Sequence, residues 1–398
     1  FGPENFDGDL RIFNPLRDTF LTTIFNNCTD RTVRLAVMNS VIETIESDKM
    51  SFDQRIRATE LMMLVDSKLE GLMEWAYNPD STGEITPIEK RRKHGLACEI
   101  VSIALDHGMF QDDDVIAASK KINSRINVYS TREMSFDERN ELGMQVSRSE
   151  LMFLSSAARS QQLARVGEFS TEKILDMTCL IGNKRKLHGE ALSVISVLQP
   201  HQVRDLLTDN YQLGSDIGVV IRGVISGNPS RDVLKNCSLV LNMFPRGSAS
   251  EAKLISTTIA PALQILNTSQ RISNDEMAKE IFDYLTAALR RSLRSEVDFM
   301  IDPEDLLFMM DYINIHSDSG YPYAKKMASD LNIFVVKKVN ETDVKNIFHF
   351  IESNSEDEET SHRAKLLSRI IKSSPRFKKL NPLSNRELKR LARLRKSK

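Results

Sequence analysis

The sequence predicts an all-α fold, an α-solenoid of stacked antiparallel helical hairpins. Apolar residues recur at helical spacing along most of the chain, and polar capping residues with prolines mark the helix starts. The chain has 398 residues but only 16 glycines and 12 prolines, too few for the tight turns of a β-sandwich. Amphipathic helices should therefore fill the chain and bury their apolar faces against their neighbours.

The first third of the chain contains several predicted helix starts. Residues 14–15 are Asn-Pro, a cap followed by proline at the first helical position. Residues 51–54 and 86–89 have the pattern of capping boxes, and the second of these helices should end near Gly108. The polar residues 78–83 indicate a loop between two helices.

A cap followed by a short amphipathic helix recurs through the second half. The predicted starts lie at Ser170, Gln199, Asn228, Ser273, Asp302, Asn340 and Ser384, about 36 residues apart on average. That length holds two helices and two turns, so the pattern predicts a degenerate helical repeat. A shorter echo between residues 50–55 and 134–139 fits either a repeat or the reuse of a good cap. Residues 216–225 are rich in β-branched side chains, which indicates a buried helix, with a strand as the alternative.

The units at residues 302–334 and 340–371 predict which side chains form the core. Apolar residues recur at helical spacing in both helices of each unit. Those expected to face the core are Leu306, Met309, Ile347, Leu367 and Ile370. Truncating one of them to alanine should cost about 2–5 kcal/mol if it is fully buried.

Charge separates the C-terminal end from the rest of the chain. The net charge is −1, from 54 lysines and arginines against 55 acids. Residues 361–398 hold 14 of those bases and one acid, so the preceding residues carry a net charge near −14. We therefore expect three regions: a helical region at 1–165, a helical-repeat region at 166–375 and a basic arm at 376–398. Such an arm favours a polyanion or an acidic protein surface.

No sequence motif indicates catalysis, a metal site or a cofactor. The nucleotide-binding, nucleophile-elbow and zinc-protease patterns are absent, and no two of the seven histidines are spaced for a shared metal. The four cysteines, Cys28, Cys98, Cys179 and Cys237, form no CxxC pair, so buried thiols are expected. No apolar run approaches the length of a membrane span. We therefore predict a non-catalytic protein without cofactor, membrane or evident small-molecule substrate.

Three clusters of basic residues are candidate phosphate contacts. One is Lys90, Arg91, Arg92 and Lys93 in the first turns of a predicted helix, and another is Lys184, Arg185 and Lys186 between two helices. The third, in the arm, comprises Arg376, Lys378, Lys379, Arg386, Lys389, Arg390, Arg393 and Arg395. The alternative for each of the first two is a solvated helix surface, and for the arm a frayed terminus. A capping box at Ser384 favours an ordered helix within the arm.

Hairpin units with a polar cap, an acid and then aliphatic residues resemble the degenerate helical repeats of organellar RNA metabolism. Residues 302–334 and 340–371 carry this resemblance to octotricopeptide, heptatricopeptide and FAST-kinase-like repeats. It implies a mitochondrial or plastid setting, and RNA editing, processing, stability or translation. No RAP-type nuclease-like domain follows the repeats, so the resemblance does not extend to RNA cleavage. A chain that begins at Phe1 is expected to have lost any targeting peptide.

The leading hypothesis is an RNA-binding scaffold subunit of a mitochondrial ribonucleoprotein complex, either an RNA-editing or RNA-processing complex or the mitochondrial ribosome. Its expected partners are RNA and other protein subunits. The alternative is a HEAT-like scaffold that binds only proteins. Weaker alternatives are a helical hydrolase or transferase with an unfamiliar site, and a viral nucleoprotein.

Overall fold

The fold is described from a computed structural model. It describes residues 42, 51–65, 69–77, 86–109, 114–131, 141–227, 229–297, 299, 301–354, 360–374, 376–377, 379 and 381–396. The predictions for residues 14–15, 78–83 and 134–139, and for Cys28, Asn228 and Lys378, lie outside this part of the chain. Two compact units divide the chain, Phe1–Leu198 and Gln199–Lys398.

The described residues of the first unit form seven α-helices. They are α1 (Phe52–Val65), α2 (Glu70–Tyr77), α3 (Pro87–Asp106), α4 (Asp114–Thr131), α5 (Glu141–Arg159), α6 (Thr171–Arg185) and α7 (His188–Val197). Two short 3-10 helices, Leu163–Arg165 and Gly167–Phe169, connect α5 to α6. The odd-numbered helices form one layer, in which each helix packs against the next, and the even-numbered helices form a second layer in the same way. Helices α3 and α5 also pack against helices of the even-numbered layer. This two-layer packing of successive helices is that of an α-solenoid.

In its described part, the second unit repeats this arrangement with ten helices. They are α8 (Pro200–Asp209), α9 (Tyr211–Ser226), α10 (Arg231–Leu241), α11 (Ala249–Arg271), α12 (Asp275–Arg294), α13 (Pro303–His316), α14 (Pro322–Lys338), α15 (Glu341–Ser353), α16 (Thr360–Ser373) and α17 (Asn385–Leu394). The helices α9, α11, α13, α15 and α17 form one layer, and α10, α12, α14 and α16 form the other. No described residue lies in a strand, so the all-α prediction is confirmed. The β-branched residues 216–225 belong to α9, as expected.

Most of the predicted helix caps are observed in the structure. Asn340 and Ser384 each form a reciprocal capping box, and the Asp302 side chain accepts from the Glu304 amide. The α3 helix begins after Thr86 and ends just before Gly108, which has a φ of +63°. At Ser273 the prediction is one residue early, because the side chain of Asn274 caps α12.

The spacing of the predicted repeats is not that of the structure. Residues 273 and 302 precede the consecutive helices α12 and α13, whereas every other interval spans two helices. The average of about 36 residues therefore mixes starts in the two layers. Two helices that the prediction passed over begin at the caps Asn210 and Ser248, where each side chain accepts an amide three residues later.

The predicted core residues of the last two repeats are all buried. Leu306, Met309, Ile347 and Leu367 have no exposed surface, and Ile370 is 4% exposed. This confirms the helical phase that the sequence pattern predicted. None of the described helices combines the length and apolar character that crossing a membrane requires.

Helices α9 and α11 approach closely at Gly214. A Cβ atom added at Gly214 would lie 2.5 Å from the Cβ of Ser250, whereas one added at Gly218 would lie 4.0 Å from Leu254. We expect Gly214→Ala to lower the free energy of unfolding by about 1–3 kcal/mol, since the two helices must separate. Gly218→Ala is the matched control on the same face. It should be neutral or stabilise by up to about 1 kcal/mol, because alanine favours the helix. Urea unfolding of both variants tests this, and equal midpoints would contradict the close approach.

Candidate nucleic-acid interface

The C-terminal helix α17 is docked onto the second unit. The Ser384 amide donates to Glu387 Oε2 at 2.6 Å, and the Glu387 amide donates to Ser384 Oγ at 3.3 Å. Hydrogen bonding from Ser384 also lowers the pKa of the Glu387 carboxyl below its usual value. Leu383 and Leu391 are buried, and α17 packs against α15 and α16. The helix is therefore held at its start and along its apolar side.

The opposite side of α17 is basic and exposed. Arg386, Lys389 and Arg393 are all exposed and share one face of the helix, at spacings of three and four residues. We call these three residues the basic stripe. Arg390 belongs to the same face but its Nη1 lies 2.8 Å from Glu352 Oε1, so its charge is partly compensated. Beyond the helix, Arg395 is exposed, and its carbonyl accepts from Ser361 Oγ.

The start of the predicted arm is anchored by one aromatic residue. Phe377 is buried between the exposed residues Arg376 and Lys379. These two bases precede α17 and lie in the same unit as the basic stripe. The described residues from 376 onward lie in the second unit, where Phe377 and Leu383 are buried.

The cluster at residues 90–93 does not form one surface. Lys90 and Arg92 are exposed, but Arg91 is only 3% exposed. Arg91 occupies the face of α3 that continues through His94 and Gly95, and this face packs on α5, where Val146 lies against Gly95. The assignment of Arg91 as an RNA contact is therefore wrong, because consecutive helical residues point about 100° apart. Lys93 is half-buried, with its Nζ 4.8 Å from the centre of the Trp75 ring.

The cluster at residues 184–186 lies at the end of α6. Lys184 and Lys186 are exposed and Arg185 is half-buried. Lys186 has a φ of +58° and ends the helix, with its amide donating to the Gly182 carbonyl. Positive charge is favourable at a helix C-terminus, so these positions have a local structural role whether or not they bind RNA.

A second cationic region combines residues that are distant in sequence. Arg246, in the connection between α10 and α11, and Arg290 and Arg294, in the last turns of α12, line a cleft of about 550 Å³. All three arginines are exposed. Bases at the end of α12 suit the helix dipole, and no local sequence signal joins Arg246 to them.

One buried group contains residue types found in catalytic sites. The His94 Nε2 atom lies 3.2 Å from Glu150 Oε1 and 3.6 Å from Cys98 Sγ, and Tyr77 Oη lies 2.8 Å from His94 Nδ1. His94 and Cys98 have no exposed surface, and burial raises the pKa of the Cys98 thiol well above its usual value. A protonated thiol without access to solvent is a poor nucleophile. We interpret this group as a polar contact between α3 and α5.

The other described cysteines are also buried thiols. Cys179 lies on α6 and Cys237 on α10. Burial raises the pKa of Cys237 to about 12. Among the described residues, no group of three histidine, cysteine or acidic side chains is arranged to hold a metal ion.

Comparisons with known proteins leave the family open. No family model matches the chain, and no curated protein matches it. Among solved structures, the chain is similar to a circular tandem repeat protein with a novel repeat topology and enhanced subunit contact surfaces. The two are 11% identical over 96% of this chain and 84% of that chain. Their TM-score of 0.26 is too low to support a common fold.

Proposed function

We propose that this protein is a non-catalytic helical-repeat scaffold that binds single-stranded RNA through the basic stripe of α17. The observation that carries the proposal is the docking of α17. Its capping box and buried Leu391 hold Arg386, Lys389 and Arg393 together on one exposed face. An ordered row of bases binds phosphates with a smaller entropic cost than a flexible tail.

The proposed contact is electrostatic and largely independent of RNA sequence. Arginine and lysine side chains neutralise phosphates and release counterions, which makes binding depend steeply on salt. Arg386 and Arg393 offer guanidinium groups suited to bidentate phosphate contacts. Helix α17 contains no aromatic residue on which a base could stack. Base-specific recognition is therefore not part of the proposal.

The burial of the group formed by His94, Cys98 and Glu150 supports the non-catalytic part of the proposal. His94, Cys98 and Glu150 are each at most 1% exposed, so a substrate would not reach them. These side chains instead contribute to packing within the first unit.

The proposed setting is a mitochondrial ribonucleoprotein complex with other protein subunits. Its support is the resemblance of residues 302–334 and 340–371 to helical repeats of organellar RNA metabolism. Imaging and fractionation of the tagged endogenous protein, with sequencing of the RNA that co-purifies, test this setting. Recovery from the cytosol without RNA would contradict it.

The RNA-binding proposal is tested by reversing the charge of the stripe. We expect the triple substitution Arg386→Glu, Lys389→Glu and Arg393→Glu to lower the affinity of the full chain for a single-stranded oligonucleotide. Three lost phosphate contacts reduce the log–log salt slope by about 2, and the affinity near 0.1 M salt by about 100-fold. The measurement is a fluorescence-anisotropy titration repeated across a salt series.

A matched control separates the stripe from the net charge of the protein. Lys173, Lys279 and Lys325 are exposed on α6, α12 and α14, and their reversal to glutamate changes the net charge by the same amount. This control should retain most of the affinity. An equal loss in both triple variants would contradict a defined interface at α17. No RNA affinity in the unmodified protein would overturn the proposal and favour the scaffold that binds only proteins.

A further inference from the structure

The arginine cleft of the second unit is a cavity whose lining is unusually cationic. Of its eight lining residues four are arginines, Arg246, Arg290, Arg291 and Arg294, and one is an acid, Glu296. Its volume of about 550 Å³ lies within the range of small-molecule sites. The cleft joins the α10–α11 connection to the end of α12.

The side chain of Arg291 forms structural contacts within the protein. It pairs with the buried carboxylate of Glu251, donates to the Phe244 carbonyl at 2.7 Å and lies 3.4 Å from Asn242 Oδ1. Glu251 also accepts from the Gly247 amide at 2.7 Å. These bonds tie the α10–α11 connection to the last turns of α12, so the walls of the cleft are fixed relative to each other.

The remaining three arginines outnumber the single carboxylate that lines the cleft, Glu296. Within the described part of the chain, no carboxylate lies within ion-pair distance of Arg246, Arg290 or Arg294, and all three are exposed. The helix dipole accounts for arginines at the end of α12. It does not account for Arg246, which lies in the connection between α10 and α11 and lines the same cleft.

We infer that this cleft binds a phosphate-bearing anion of about the size of a triphosphate. Guanidinium groups from two elements suit the oxygens of a polyphosphate, with which they can form paired charge-assisted hydrogen bonds. None of the lining residues is aromatic and the single aliphatic one is Val297, so the cleft has no platform for a nucleobase. The phosphates of a free compound or of an RNA 5′ end share this chemistry. The inference goes beyond the proposed function and does not depend on it.

The test uses tripolyphosphate and the full chain. Isothermal titration should show saturable binding by the unmodified protein. The double variant Arg290→Gln and Arg294→Gln should bind tripolyphosphate at least tenfold more weakly, because each charge-assisted hydrogen bond that is lost lowers the affinity. Arg246→Gln should also weaken binding at least threefold. Lys279→Gln removes an exposed charge from the first turns of the same helix α12, and is expected to bind like the unmodified protein.

The outcomes separate this inference from the RNA-binding proposal. The inference that the cleft binds a polyphosphate is overturned if the unmodified protein does not bind tripolyphosphate. It is also overturned if Lys279→Gln weakens binding as much as the arginine substitutions do. Charge reversal of the α17 stripe should leave tripolyphosphate affinity within twofold, so either proposal can fail alone. An RNA with a 5′ triphosphate should bind more tightly than the same RNA with a 5′ hydroxyl if the ligand is an RNA end. Equal RNA affinities together with tripolyphosphate binding would assign the cleft to a free polyphosphate compound.

Discussion

Replacing Glu251 by glutamine is expected to lower the free energy of unfolding by about 3–5 kcal/mol. The Glu251 side chain is 1% exposed and that of its partner Arg291 is 10% exposed. Removing the carboxylate leaves a largely buried guanidinium without its counter-charge, and the Gly247 amide loses a charged acceptor. The measurement is the midpoint of urea unfolding followed by circular dichroism.

An exposed ion pair in the same unit provides the control for this effect. Arg231 Nη1 lies 2.7 Å from Glu276 Oε2, with exposed fractions of 44% and 73%. Glu276→Gln should cost less than about 1 kcal/mol, because solvent screens the pair. A loss of similar size in both variants would contradict the role of burial. Combining Glu251→Leu with Arg291→Met should recover much of the stability, since no unpaired charge then remains buried.

Truncating Phe334 to alanine is expected to cost about 3–5 kcal/mol. The ring has no exposed surface and packs edge-to-face on Phe299, with a centroid separation of 5.9 Å. These two aromatic rings fill the core between α14 and the segment that precedes α13. Alanine would leave a cavity that the fixed backbone of the two layers fills poorly.

Ile333, the residue before Phe334, provides a matched control for this substitution. Ile333 lies on the same helix but is 42% exposed, so Ile333→Ala should change stability by about 0.5 kcal/mol or less. Both variants are compared by thermal and urea unfolding. If Ile333→Ala is as destabilising as Phe334→Ala, the orientation of α14 described above is wrong.

Local signals in the sequence were sufficient for the helices and their phase. Capping depends on a few adjacent residues, so Asn340 and Ser384 were recognisable without knowledge of the fold. Helical spacing placed Leu306 and Ile347 in the core for the same reason. The capped helix in the arm was also predictable, because its start, apolar positions and bases all lie within residues 383–395.

Features that depend on how two helices pack against each other could not be predicted from the sequence. The predicted starts at Ser273 and Asp302 lie within one residue of the observed caps, but nothing local shows that the two helices belong to different layers. A run of adjacent bases looked like a single patch at residues 90–93, although helical geometry turns Arg91 inward. The compensation of Arg390 by Glu352 joins α17 to α15 and depends on how these helices pack.

For this protein, the sequence by itself determined an all-α chain of capped amphipathic helices, the phase of its core and a basic C-terminal helix. These properties depend on contacts between residues a few positions apart. Tertiary structure alone decided which bases remain exposed together and which are buried or paired. Arg246 and Arg290 are separated along the chain by α11 and most of α12 but line the same cleft, because the pair between Glu251 and Arg291 holds their elements together.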